Sequence, residues 1–142
     1  MTRSTTDAIP ADLCAAAFDE VRVLHVLIED WFNARLPATA LDTLLQRFGR
    51  DFSMVGIPGR RVDRAALATF FAAAHGSRAG LRIEVAALTC SVLPGATCVV
   101  RYREDQTDAQ GATSGREALA VLVPGTSGRL QWQALHETAI GG

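Results

Sequence analysis

Lysine is absent: all 14 basic side chains of the 142 residues are arginine. This excludes Schiff-base catalysis by a lysine amine and the phosphate-gripping lysine of a P-loop. An excess of either charge is missing too. The 15 acidic residues leave a net charge of −1, so no bulk field draws in nucleic acid or an anionic membrane. No apolar run is longer than six residues, as in Ala118 to Val123, far below the ~20 that span a bilayer. The opening MTRSTTDAIPADL has no long apolar segment, so no signal peptide is read there. A cytoplasmic location is expected.

Cysteine is scarce, with Cys14, Cys90 and Cys98 and no CxxC pair. Neither a disulfide framework nor a thiolate zinc site is expected. Cys90 and Cys98 flank a turn and could face each other across a hairpin. The favoured reading is three small apolar side chains in a reducing compartment. No HxH, HExxH, GxGxxG or GxSxG spacing occurs. No metal, no cofactor and no nucleic-acid partner is therefore expected.

What is present reads as one domain of packed helices and strands. Residues 1 to 9 are taken as a loose, flexible arm and 10 to 142 as a single domain. From Asp12 to Leu36, Phe18, Val21, Leu24, Ile28 and Trp31 recur three or four apart, which is one face of a helix. Glu20 falls on its polar side. A second helix runs from a Thr39 cap through Leu41, Leu44, Leu45 and Phe48 to Gly49. DFSMVGIPG then reads as a short strand closed by a Pro-Gly turn. Asp63 caps a third helix, with Leu67, Phe70, Phe71 and Ala74 inward. Four strands follow, at about 81–93, 97–106, 116–123 and 129–139, joined as an antiparallel meander. Helices with one apolar face must cover a sheet. The fold class is thus α+β: a cone-shaped, curved antiparallel sheet whose concave face is covered by three N-terminal helices. A cone mouth makes a ligand pocket.

FSMVGIPGRRVDRAALATFF and the closing hairpin VLVPGTSGRLQWQALHET carry a resemblance over residues 12 to 139. The chain resembles the nuclear-transport-factor-2-like superfamily, in its SnoaL-like and ketosteroid-isomerase-like branch. The resemblance implies cystatin-like topology and a homodimer through the outer sheet face. It also places the isomerase base at Gly56 or Ile57, the second acid near Ala120 and the first-helix tyrosine near Trp31. None of these side chains is an acid or base, so the isomerase mechanism is not expected here.

Among the remaining polar residues, His25 reads as a helix-edge side chain bonded to Glu29 or water, with a cone-facing position as the alternative. His75 suits a helix C-terminus. His136 and Glu137 are neighbours on the last strand, so one of them faces inward; they are the candidate catalytic residues. Arg101 and Arg103 share one strand face, and Tyr102 and Glu104 the other. With Arg116 and Glu117 they suggest an exposed ion-pair ladder, or an arginine at the pocket mouth that holds a carboxylate. The expected ligand is a small apolar or aromatic molecule walled by Trp31, Val55, Ile57, Phe71, Tyr102, Ala120 and Glu137. The competing expectation is a non-catalytic dimeric scaffold module whose cone is filled by its own side chains.

Overall fold

The computed structural model describes residues 3–141, with side chains from Asp12 onward. Helix α1 runs from Arg3 to Phe32. Its backbone therefore overlaps most of the expected arm; residues 1 and 2, and the side chains of 3–11, lie outside the described residues. A short 3-10 turn, Ala38–Ala40, leads into α2, Leu41–Leu45. Strands β1 (Phe48–Val55) and β2 (Arg61–Asp63) precede α3 (Arg64–Ala74). Strands β3 (Arg82–Leu93), β4 (Thr97–Thr107), β5 (Thr113–Pro124) and β6 (Leu130–Ala139) complete the chain.

The six strands form one sheet in the order β2-β1-β6-β5-β4-β3. The meander is antiparallel, but β1 lies parallel to β6, so the sheet is not antiparallel throughout. That pairing also shortens the second helix. The Trp132 amide donates to the Arg47 carbonyl at 2.9 Å. Phe48 pairs with Trp132 and begins a strand instead of a helical turn. Gly49 is thus a buried strand residue against Trp132 rather than a helix cap. Thr39 caps nothing: the 3-10 turn starts at Pro37 with no side-chain cap. At α3 the cap is as expected, with Asp63 accepting from the Ala66 amide at 2.9 Å.

The apolar stripe of α1 forms the core with the inner sheet face. Val21, Leu24 and Trp31 are buried, as are Val100, Tyr102, Ala118, Ala120, Leu122 and Trp132 from the strands. Inner positions on β4 and β5 are the even-numbered ones, as strand alternation requires. Two bulges reset this phase. Ala87 (φ 55°) interrupts β3, and β6 shifts register opposite Val121 and Leu122. Phe70 does not turn inward; about half of it is exposed, at the rim of the cone.

Two polar residues depart from expectation. Glu20 is buried, because Arg47 (2.6 Å) and the Trp132 indole (3.1 Å) both donate to its carboxylate. Cys14 and Cys90 form a disulfide between α1 and β3, with Cα atoms 5.7 Å apart. This corrects the expectation of three free thiols. Cys98 alone is free and buried, and it pairs with Val92 rather than facing Cys90. No described helix is long and apolar enough to cross a membrane.

Candidate functional site

The cone holds an inner cavity of about 250 Å³ that opens to a vestibule of about 900 Å³. Met54, Leu67, Phe70, Arg116 and Glu137 line both, so the two spaces adjoin. The inner wall is mostly apolar: Leu24, Ile28, Phe48, Phe71, Trp132 and Leu135. Into this wall are set His25, Glu104, Gln106, Arg116 and Glu137.

His25 is buried on α1, one helical turn after Val21. Its Nδ1 lies 2.7 Å from the Val21 carbonyl and its Nε2 3.1 Å from Glu104 Oε1. Both neighbours are acceptors, so only the doubly protonated imidazolium satisfies both. Burial alone would lower the His25 pKa, but the hydrogen bond and charge of Glu104, aided by the Val21 carbonyl, outweigh it and raise it. The partner moves in the complementary direction. Burial would raise Glu104, yet the His25 contact, the Gln106 amide at 2.7 Å and the Arg116 charge hold its carboxyl below the usual range. His25 and Glu104 are therefore a buried ion pair. This corrects the helix-edge placement of His25 beside Glu29.

Glu137 behaves oppositely. Burial and the nearby Glu104 charge push its carboxyl up, and Arg116, whose Nη1 donates to it at 3.3 Å, only partly opposes this. A carboxyl raised by burial beside an apolar cavity is suited to proton exchange with a bound molecule. Arg116 Nε is buried and has no partner among the described residues; the same holds for the Tyr102 hydroxyl. Burial and the charges of Glu104 and Glu137 push the Tyr102 phenol well up, so it stays neutral and able to donate. Its ring meets the His25 ring edge-on at 5.3 Å.

Of the expected wall residues, Phe71 and Glu137 line the inner cavity, and Ile57 lines the vestibule. Trp31 is buried behind the wall, its indole donating to the Phe71 carbonyl at 2.8 Å. Tyr102 and Ala120 point inward but belong to the packed core. Val55 pairs with His136 and shares its outward face. The β6 register sends Glu137 inward and leaves His136 exposed. Arg101 and Arg103 are exposed, whereas Arg116 and Glu104 turn into the cone, so the ladder expectation fails for its inner half. Among the described residues no cluster of histidine, cysteine and carboxylate ligands fits a metal ion.

A Cβ placed on Gly56, just after β1, would sit 3.9 Å from Glu137 Oε1 on β6.

No family model matches the chain, and no curated protein does. Solved structures do. An NTF-2 like protein of unknown function from Pseudomonas aeruginosa is 40% identical, covering 89% of this chain and 99% of that one, with a TM-score of 0.83. The chain belongs to the NTF2-like family. More distant solved structures also superpose. ActVI-ORFA from Streptomyces coelicolor has a TM-score of 0.62 at 16% identity, covering 87% of this chain and 96% of that one. A ketosteroid isomerase-like protein from Erwinia carotovora atroseptica has a TM-score of 0.58 at 17% identity, covering 95% and 98%. These two share the fold. The polar groups of this NTF2-like cone stand on its own geometry.

Proposed function

We propose that the chain binds a small, mostly apolar or aromatic carbonyl compound in the inner cavity and moves a proton on it through Glu137. The observation that carries this reading is the pairing of a raised carboxyl with an unsatisfied donor, Arg116 Nε, on one cavity. The carboxylate form of Glu137 takes a proton from the carbon next to the carbonyl. The electron pair of that C–H bond moves onto the carbonyl oxygen as an enolate. Arg116, which lines the cavity, stabilises the new negative charge. The neutral Glu137 acid then returns the proton, to the same carbon or another one. This resembles isomerase and SnoaL-like cyclase chemistry without using the isomerase carboxylate positions. An open inner cavity favours this reading over the scaffold module with a filled cone.

Deuterium exchange at the α-carbon of 2-tetralone in D2O tests it. The native protein is expected to accelerate exchange, and Glu137→Gln to lose that acceleration by at least about a hundredfold. Tetralone binding, read by tryptophan quenching, should stay within about threefold in the variant. Unchanged exchange in Glu137→Gln would remove the residue from this role.

The partner of the outer sheet face is read as a second copy of the chain. Leu119, Val121 and Val123 point away from the helices and are only half-buried, although they lie mid-sheet. Such an apolar strip is expected to be covered by a second sheet. Sedimentation should show a dimer at micromolar concentration; a monomer there would contradict it.

A further inference from the structure

We infer that the vestibule receives the anionic end of the ligand, a carboxylate or phosphate held by Arg60 and Arg61. The inference rests on the reading of the inner cavity as a ligand site and adds the class of ligand. The turn after β1 closes with the Gly59 amide donating to the Gly56 carbonyl at 2.9 Å, and Gly59 takes φ 83°, which favours glycine. This turn delivers Arg60 and Arg61 directly to the vestibule wall. Neither arginine has a side-chain hydrogen bond or ion pair among the described residues. The nearby acids are already engaged: Asp63 caps α3, and Glu137 pairs with Arg116. Two uncompensated guanidinium groups therefore border a space whose other walls include Ile57, Pro58, Phe70 and Ile140. Ile57, Phe70 and Ile140 are all large apolar side chains left exposed.

An apolar chamber behind a cationic, apolar-walled entrance complements one shape of molecule. Its greasy body fills the inner cavity, its chain lies along the vestibule, and its charged end meets the arginine forks, which match carboxylate and phosphate equally well. The inner cavity alone, at about 250 Å³, is small beside the 900 Å³ in front of it. A longer ligand must therefore extend past the two arginines.

Three probes with one body test this: 6-phenylhexanoate, 6-phenylhexyl phosphate and 6-phenylhexanol, with affinities from calorimetry and tryptophan quenching. The native protein is expected to bind at least one anion about tenfold more tightly than the alcohol. That preference should shrink as sodium chloride rises from about 50 to 500 mM. The Arg60→Gln/Arg61→Gln double variant, which alters two exposed side chains at the turn and the start of β2, should lose the preference while holding the alcohol as before. Preference for the carboxylate or the phosphate identifies the anion; equal preference means that charge alone is read. Equal affinity of all three probes for the native protein overturns the inference and leaves the ligand cavity standing. An anion preference that survives in the double variant overturns the assignment to Arg60 and Arg61. Failure of every probe, the alcohol included, removes the cavity reading itself and this inference with it.

Discussion

Reducing the Cys14–Cys90 bridge will lower the unfolding free energy by about 4 kcal/mol and the melting temperature by about 10 °C or more. The bridge closes a loop between residues 76 apart in sequence. Cross-linking so long a loop removes many conformations from the unfolded chain. It also ties α1 to β3, which is an edge strand with only β4 beside it. Urea unfolding with and without reductant should give different midpoints. Cys14→Ser should match the reduced protein and stop responding to reductant. The third thiol offers no alternative partner: Cys98 is buried, and burial pushes its pKa up, which suppresses the reactive thiolate. Identical midpoints under both conditions would show that the bridge adds nothing. A persistent bridge requires an oxidising setting rather than the reducing cytoplasm that cysteine scarcity suggests.

Cysteine count could not reveal this pairing. Cys14 and Cys90 meet only because α1 lies along β3, a contact set by the whole sheet order. Local patterns were more readable. The stripe of α1, the Asp63 cap and the four long strands follow from periodicities of 3.6 and 2 and from Pro-Gly turns. Leu44, Leu45 and Phe48 fit a helical spacing, which carries the second helix past its end at Leu45. Pairing of Phe48 with distant Trp132 decided the matter. The site shows the same division. Strand alternation already put Glu104 beside Tyr102 on one face, and spacing put His25 between Val21 and Ile28. Their partnership spans 79 residues and needed the folded chain. Likewise, Gly56 and Glu137 are far apart in sequence, and only the fold brings the Glu137 carboxylate within 3.9 Å of where a Gly56 Cβ would stand.

Glu104→Gln will cost about 3–5 kcal/mol at pH 6 and reverse the sign of the stability profile above pH 5. In the native protein His25 is held by Glu104 at 3.1 Å, with Arg116 from β5, Glu137 from β6 and Tyr102 from β4 around the pair. The raised His25 binds its proton more tightly folded than unfolded. Its contribution is complete below the unfolded value of 6.5 and is lost as pH rises through the folded value. The lowered Glu104 contributes above its unfolded value of 4.5, and that part is lost as pH falls through the folded value. The pair is therefore worth most between about pH 4.5 and 6.5. The raised Glu137 adds a decline of its own, which starts at its unfolded value of 4.5 and runs up through its folded value, since its neutral form is favoured in the fold. Glutamine keeps the shape but removes the charge. Burial, the largest influence on His25, is then opposed only by the Val21 carbonyl and the Glu137 charge, and drives the ring towards neutral. A buried neutral histidine makes the unfolded chain the better proton binder, so stability now falls as pH drops from 7 to 5. The native protein should gain stability over the same interval. Urea midpoints at half-unit pH steps distinguish the two slopes, and parallel profiles for native and variant would refute a buried charge pair at the cone floor.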